Sequence, residues 1–104
     1  MGKLSVETNV ADQGTRLLAI LEAYWDERVH EISSDLDYPL QDGIPLFMLS
    51  LSAAAAGRRA GMRPASARYY LWQLVRSGLA KTCDSPGDGY PTTQFYAVSK
   101  NEGA

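Results

Sequence analysis

The sequence predicts an α+β fold, mostly helical, in which a three-helix core is closed by a C-terminal β-hairpin. Three observations carry this. Leu18, Leu21, Trp25, Val29 and Ile32 keep the three-or-four spacing of an amphipathic helix. Ser52, Gly61, Pro64 and Gly78 punctuate the middle of the chain as starts and stops of two short helices. Near the end, Ser85-Pro86-Gly87-Asp88-Gly89 supplies turn chemistry ahead of the alternating stretch 92–99, TTQFYAVS.

Bulk properties bound the reading. A chain of 104 residues with 45% hydrophobic and 21% charged content suits one small globular domain. Residues 1–13 read as a flexible polar tail, 14–99 as the domain and 100–104 as a C-terminal tail. Within the domain, 14–34 is the first helix, 52–78 a helix-turn-helix and 79–99 the hairpin. The longest nearly uncharged run, Gly43 to Gly57, is shorter than the roughly 20 residues that span a bilayer. The N-terminal MGKLSVETNV lacks the apolar centre of a signal peptide. A lone cysteine, Cys83, excludes an internal disulfide framework and suits a reducing cytoplasm, which is the expected location.

The first helix is expected after a cap at Asp12 or Thr15, and Ser33-Ser34-Asp35 supplies its stop. Leu17, Ile20 and Tyr24 widen its apolar stripe beyond one core contact. That breadth suits either a helix embedded in a small core or a second surface, such as a homodimer partner. Residues 35–43, DLDYPLQDG, read as an acidic loop. The run 44–51, IPLFMLSL, is apolar and short, and periodicity leaves strand and helix open.

From Ser52 the signals sharpen. Its hydroxyl can accept from the unpaired first-turn amides of a helix over 53–60. Gly61 is placed to leave that helix in the left-handed region, and Met62 returns to the core. Pro64 opens the next helix, where its missing amide hydrogen costs nothing. Ala67, Leu71, Leu74 and Val75 fall on one face of that helix, leaving Ser66, Arg68, Tyr69, Trp72, Gln73 and Arg76 largely outside it.

Charge is distributed unevenly. Residues 1–54 hold nine acids and three bases, 55–81 six bases and no acid, and 82–104 three acids and one base. A net charge of −2 therefore hides one acid-free basic island. A helix pair with a basic second helix has the geometry that places one helix in the major groove of DNA.

Residues 52–99 resemble the winged helix-turn-helix superfamily of prokaryotic DNA-binding regulators, in the broad style of MarR-like and ArsR-like repressors. The matching features are Ser52, Ala56 and Ala60, the Gly61-Met62 turn, Pro64-Ala65-Ser66-Ala67, Leu71, Leu74, Gly78-Leu79 and the strand QFYAVS. The chain departs from that pattern in carrying Asp84 and Asp88 where the family's hairpin, its wing, often has Arg or Lys. The resemblance implies a regulator that occupies promoter DNA, with helix 65–77 in the major groove.

On this reading Arg58 and Arg59 lie near the DNA backbone and Arg63 at the start of the recognition helix. Ser66, Arg68, Tyr69 and Gln73 are candidates for base edges, since arginine suits guanine and glutamine suits adenine. Arg76 and Lys81 position the protein on phosphates. A homodimer through the first helix would set half-sites roughly 34 Å apart. The alternative is a winged-helix adaptor whose partner is a protein, which the acidic hairpin favours.

Ordinary roles compete residue by residue. Tyr70 and Trp72 read as core or half-core aromatics, and Tyr69 either packs on the hairpin or reaches outward. Cys83 reads as a buried inert thiol, because a redox-sensing one needs a base to support its thiolate and only Lys81 is near. His30, beside Asp26 and Glu31, is one histidine without supporting cysteines, so no zinc site is expected. The chain shows no nucleophile-base-orienter set and no glycine-rich phosphate loop, so neither enzyme activity nor a cofactor is expected.

Overall fold

The computed structural model describes residues 2–35, 43–86 and 92–102. Residues 36–42, most of the expected acidic loop, lie outside the described residues, as do 87–91, the hairpin turn with Asp88. The described chain is α+β and mostly helical, with one three-stranded antiparallel sheet.

Helix α1 runs from Gly2 to Asp35, so it starts well before the expected residue 14. The expected tail is helical, and neither Asp12 nor Thr15 is a cap. Polarity was the signal for a tail, but polarity does not stop a helix. Residues 2–13 contain no proline, and the single Gly14 costs only about 1 kcal/mol within a helix. Leu17, Leu21 and Ile32 of α1 are buried, and Leu18, Ile20 and Tyr24 pack against the same core. Trp25 meets Tyr96 with ring centroids 5.9 Å apart. The wide stripe is thus used within one chain, where α1 touches two other helices, a strand and the C-terminal helix.

The run 44–51 contains a single 3₁₀ turn, Leu46–Met48, followed by the two-residue strand β1, Leu51–Ser52. Side chains satisfy the turn's carbonyls. Ser50 Oγ donates to Leu46 O at 2.6 Å, and Arg28 Nε donates to Met48 O at 3.3 Å.

Helix α2, Ala53–Ala60, is capped by Ser52, whose Oγ accepts from Ala55 N at 3.1 Å. It ends with Gly61 at φ 71°, and Met62 N donates to Gly57 O at 2.9 Å. That six-residue closure needs a left-handed residue, which glycine adopts without a Cβ penalty. Helix α3, Pro64–Arg76, closes the same way, with Gly78 at φ 80° and Leu79 N donating to Leu74 O at 2.9 Å. Small residues bring the pair together: Ala56, Ala60 and Ala67 are buried.

Gly57 is the tightest point of that contact. A Cβ there would lie 3.0 Å from Met62 O and 3.1 Å from Ala67 Cβ, and neither neighbour is a flexible chain end. Gly57→Val is therefore expected to cost about 2–3 kcal/mol by overpacking. Gly57→Ala should cost less, because helix propensity returns about 1 kcal/mol. Urea denaturation checks both. A valine variant as stable as wild type would mean that the helices do not meet here.

Strands β2, Ala80–Ser85, and β3, Thr92–Ala97, form the hairpin, and β3 is central between β1 and β2. Phe95 stands in register with Leu51 on one side and Thr82 on the other. Alternation sends Phe95 and its neighbour Tyr96 to opposite sheet faces, and both are buried. The strand stops at Ala97, short of the expected 99, and Val98–Glu102 forms helix α4 in place of the first part of the expected tail. Two acids one turn apart on α1 explain this. Ser99 Oγ donates to Glu22 and Lys100 Nζ to Asp26, each at 2.9 Å.

Burial pushes the Tyr96 phenol above its ordinary value of 10.0, and the nearby Cys83 thiolate adds to the shift. Below about pH 10 the phenol is protonated in both folded and unfolded chains, so it leaves stability unchanged. Above that, the unfolded chain sheds the proton first and binds fewer, so stability falls as pH rises. Alkaline titration of the denaturation midpoint should show this decline, and Tyr96→Phe should flatten it.

Candidate nucleic-acid interface

Helix geometry sorts the outer residues of α3 into two sets. At about 100° per residue, Ser66, Tyr69, Gln73 and Arg76 fall within roughly 80° of one another. They lie opposite the buried Ala67, Leu71 and Leu74, and all four are exposed, Tyr69 at 58%. Arg68 and Trp72 form the second set, turned by about 100° and 60° from Tyr69 toward the sheet. Arg68 is exposed, and Trp72 is 40% exposed while its ring meets Phe95 edge-on at 5.4 Å.

The remaining predicted residues divide. Arg58 is exposed on α2, and Arg63 is exposed at the start of α3. Arg59 is committed elsewhere: its guanidinium lies 4.8 Å over the Tyr24 ring and 3.7 Å from the Glu27 carboxylate, both on α1. Lys81 stands in register with Tyr96, so it shares that residue's sheet face rather than the one Phe95 presents to Trp72. The fold therefore puts Ser66, Tyr69, Gln73 and Arg76 on one face of α3, keeps Arg68 on their flank and Arg63 at the helix start, and sends Arg59 and Lys81 away from them.

Helix α3 has no acid of its own, and four described acids of α1 are held away from it by other partners. Glu22, Asp26, Glu27 and Glu31 are engaged by Ser99, Lys100, Arg59 and Arg28 respectively. Arg16, which sequence reasoning passed over, holds α1 against α2 by donating to the Ala60 carbonyl. Such a long-range cap leaves no local pattern, since its partner is 44 residues away.

Two grooves flank α3. One, of about 530 Å³, lies on the sheet side between Ser52, Ala53 and Ala54, Arg68 and Trp72, and Thr92, Thr93 and Phe95. The other, of about 350 Å³, lies on the α1 side, where Leu18, Tyr70, Leu74 and Leu79 make its wall mostly apolar and Gln73 adds an amide. Tyr69 turns toward α1 and Tyr70, its ring edge-on to the latter at 5.2 Å, instead of packing on the hairpin.

Cys83 is half-buried, and its thiol donates to Ser50 Oγ at 3.3 Å. Among the described residues, no three His, Cys, Asp or Glu side chains stand close enough to hold a metal ion. None of the described helices is long and apolar enough to cross a membrane.

No family model matches the chain, and neither a curated protein nor a solved structure is significantly similar to it.

Proposed function

We propose that this protein is a sequence-specific regulator that binds double-stranded DNA as a winged helix-turn-helix, with α3 in the major groove and promoter occupancy as its mode of action. The carrying observation is the exposed face of α3, where Ser66, Tyr69, Gln73 and Arg76 stand without a carboxylate among them and Arg63 is exposed at the helix start. Phosphate repels carboxylates, and arginine releases counterions condensed on the duplex. Ser66 and Gln73 are offered to the base edges, with the exposed part of Tyr69 beside them although its ring leans on Tyr70, while Arg58, Arg63 and Arg76 hold the backbone. The proposal includes a cytoplasmic location and a homodimer through α1, although Leu17, Leu21 and Ile32 of its apolar stripe are already buried within one copy.

The test is duplex affinity against salt. Four backbone arginines, with Arg68 counted among them, should lower log affinity by about 3.6 for each tenfold rise in salt. A flat response, or no binding at low salt, removes the proposal.

A second reading keeps the same scaffold for a protein partner without DNA. The exposed Leu79 and Tyr69 and the carboxylate of Asp84 on the hairpin favour it. Partner capture that survives Arg68→Ala and Arg76→Ala, with no duplex retained by wild type, would select it.

A further inference from the structure

We propose that the groove between α3 and the sheet is the seat of the DNA sugar-phosphate strand, with Arg68 as a phosphate ligand rather than a reader of bases. This rests on the DNA-binding reading above and assigns one part of that contact to Arg68, Trp72, Ser52, Thr92 and Thr93.

Four observations converge on it. Arg68 and Gln73 are five residues apart, which separates them by about 140° around the helix axis. With Gln73, Tyr69 and Ser66 facing the floor of a major groove, Arg68 points sideways at the strand bordering that groove. The groove holds about 530 Å³ and is partly open to solvent rather than an enclosed cavity, which suits a segment of backbone more than a sequestered small molecule. Its lining suits a nucleic-acid backbone: Arg68, Trp72 and Thr93, which shares the Phe95 face of the sheet, with Ser52 and Thr92 beside them, and none of the described lining residues is acidic. Arginine and hydroxyl donors suit phosphate oxygens, and the exposed part of Trp72 offers an apolar surface to deoxyribose. Finally, the hairpin is a poor anchor further out. Asp84 stands in register with Thr93, is exposed, and repels phosphate, so the strand is held at the Arg68 end of the groove.

The experiment compares wild type, Arg68→Gln, the double variant Thr92→Val/Thr93→Val, and Asp84→Asn. Each is measured on a mixed-sequence duplex across salt and used to select from a randomised duplex pool. Arg68→Gln should bind roughly tenfold more weakly on every sequence, and its salt slope should fall by about one. The selected sequence should be unchanged. The threonine variant should weaken binding without altering the slope, and Asp84→Asn should strengthen it. A chain with Trp25→Phe leaves Trp72 as the one tryptophan, and its emission should change on saturation with duplex.

Three results would overturn the assignment. If Arg68→Gln alters the selected sequence while keeping the slope, Arg68 reads bases. If Trp72 emission stays constant on a saturated complex, the strand does not occupy the groove. If wild type binds no duplex at low salt, the DNA reading itself is lost and the groove assignment with it, an outcome distinct from the other two.

Discussion

Truncating Phe95 to alanine is expected to destabilise the protein by about 4 kcal/mol, close to a thousandfold in the folding equilibrium. Phe95 is 2% exposed and occupies the middle of the central strand, where it stands in register with Leu51 and Thr82. It also supplies the surface that Trp72 meets edge-on. Its loss leaves a void bordered by rigid strands on both sides, and such a site relaxes poorly. Small domains have only about 5–15 kcal/mol of stability in total. The variant should therefore show a urea midpoint lowered by about a quarter or more, together with a change in tryptophan fluorescence. A change under about 1 kcal/mol would mean that the sheet and α3 do not share this core.

The largest functional effect is expected from reversing the two charges at the ends of α3. Arg63→Glu/Arg76→Glu should reduce duplex affinity by at least about a hundredfold, since each charge-assisted contact contributes about 1.5–3 kcal/mol. Stability should change little. Glutamate in place of Arg63 favours the positive N-terminal end of the helix, while glutamate in place of Arg76 disfavours the C-terminal end by a similar amount, about 0.3–1 kcal/mol each. A folded double variant that binds duplex as well as wild type would exclude α3 as the contact. Titration by gel shift or anisotropy at about 0.1 M salt, where screening is moderate, is the measurement.

Much of the fold was legible because its signals are local. Ser52 caps α2 through an amide three residues on, and Gly61 and Gly78 close their helices over six residues. Pro64 begins α3 for a reason contained in its own ring. The exposed face of α3 was legible for the same reason, since periodicity alone separates the exposed Tyr69 and Gln73 from the buried Leu71 and Leu74.

Where the structure adds to the sequence, the deciding partner is distant. Arg59 was grouped with Arg58 by adjacency, yet Tyr24 and Glu27 hold it on α1. Lys81 was grouped with Arg76 by charge, yet its register with Tyr96 puts it on the other sheet face. Trp72 is the half-core aromatic its spacing suggests, but only the docking of Phe95 against it decides that part of its ring lies on a groove wall. The early start of α1 and the helical turn of α4 were missed because polar segments announce nothing by periodicity.

Residue chemistry and spacing alone settle where these helices begin and end and which of their faces are apolar, because caps, left-handed glycines and helical periodicity act over a few neighbours. Which arginines remain free for a partner, and which surfaces line a groove, depends on residues up to 44 positions away meeting across the core. Those meetings follow from strand register and helix docking, which no short window of sequence contains.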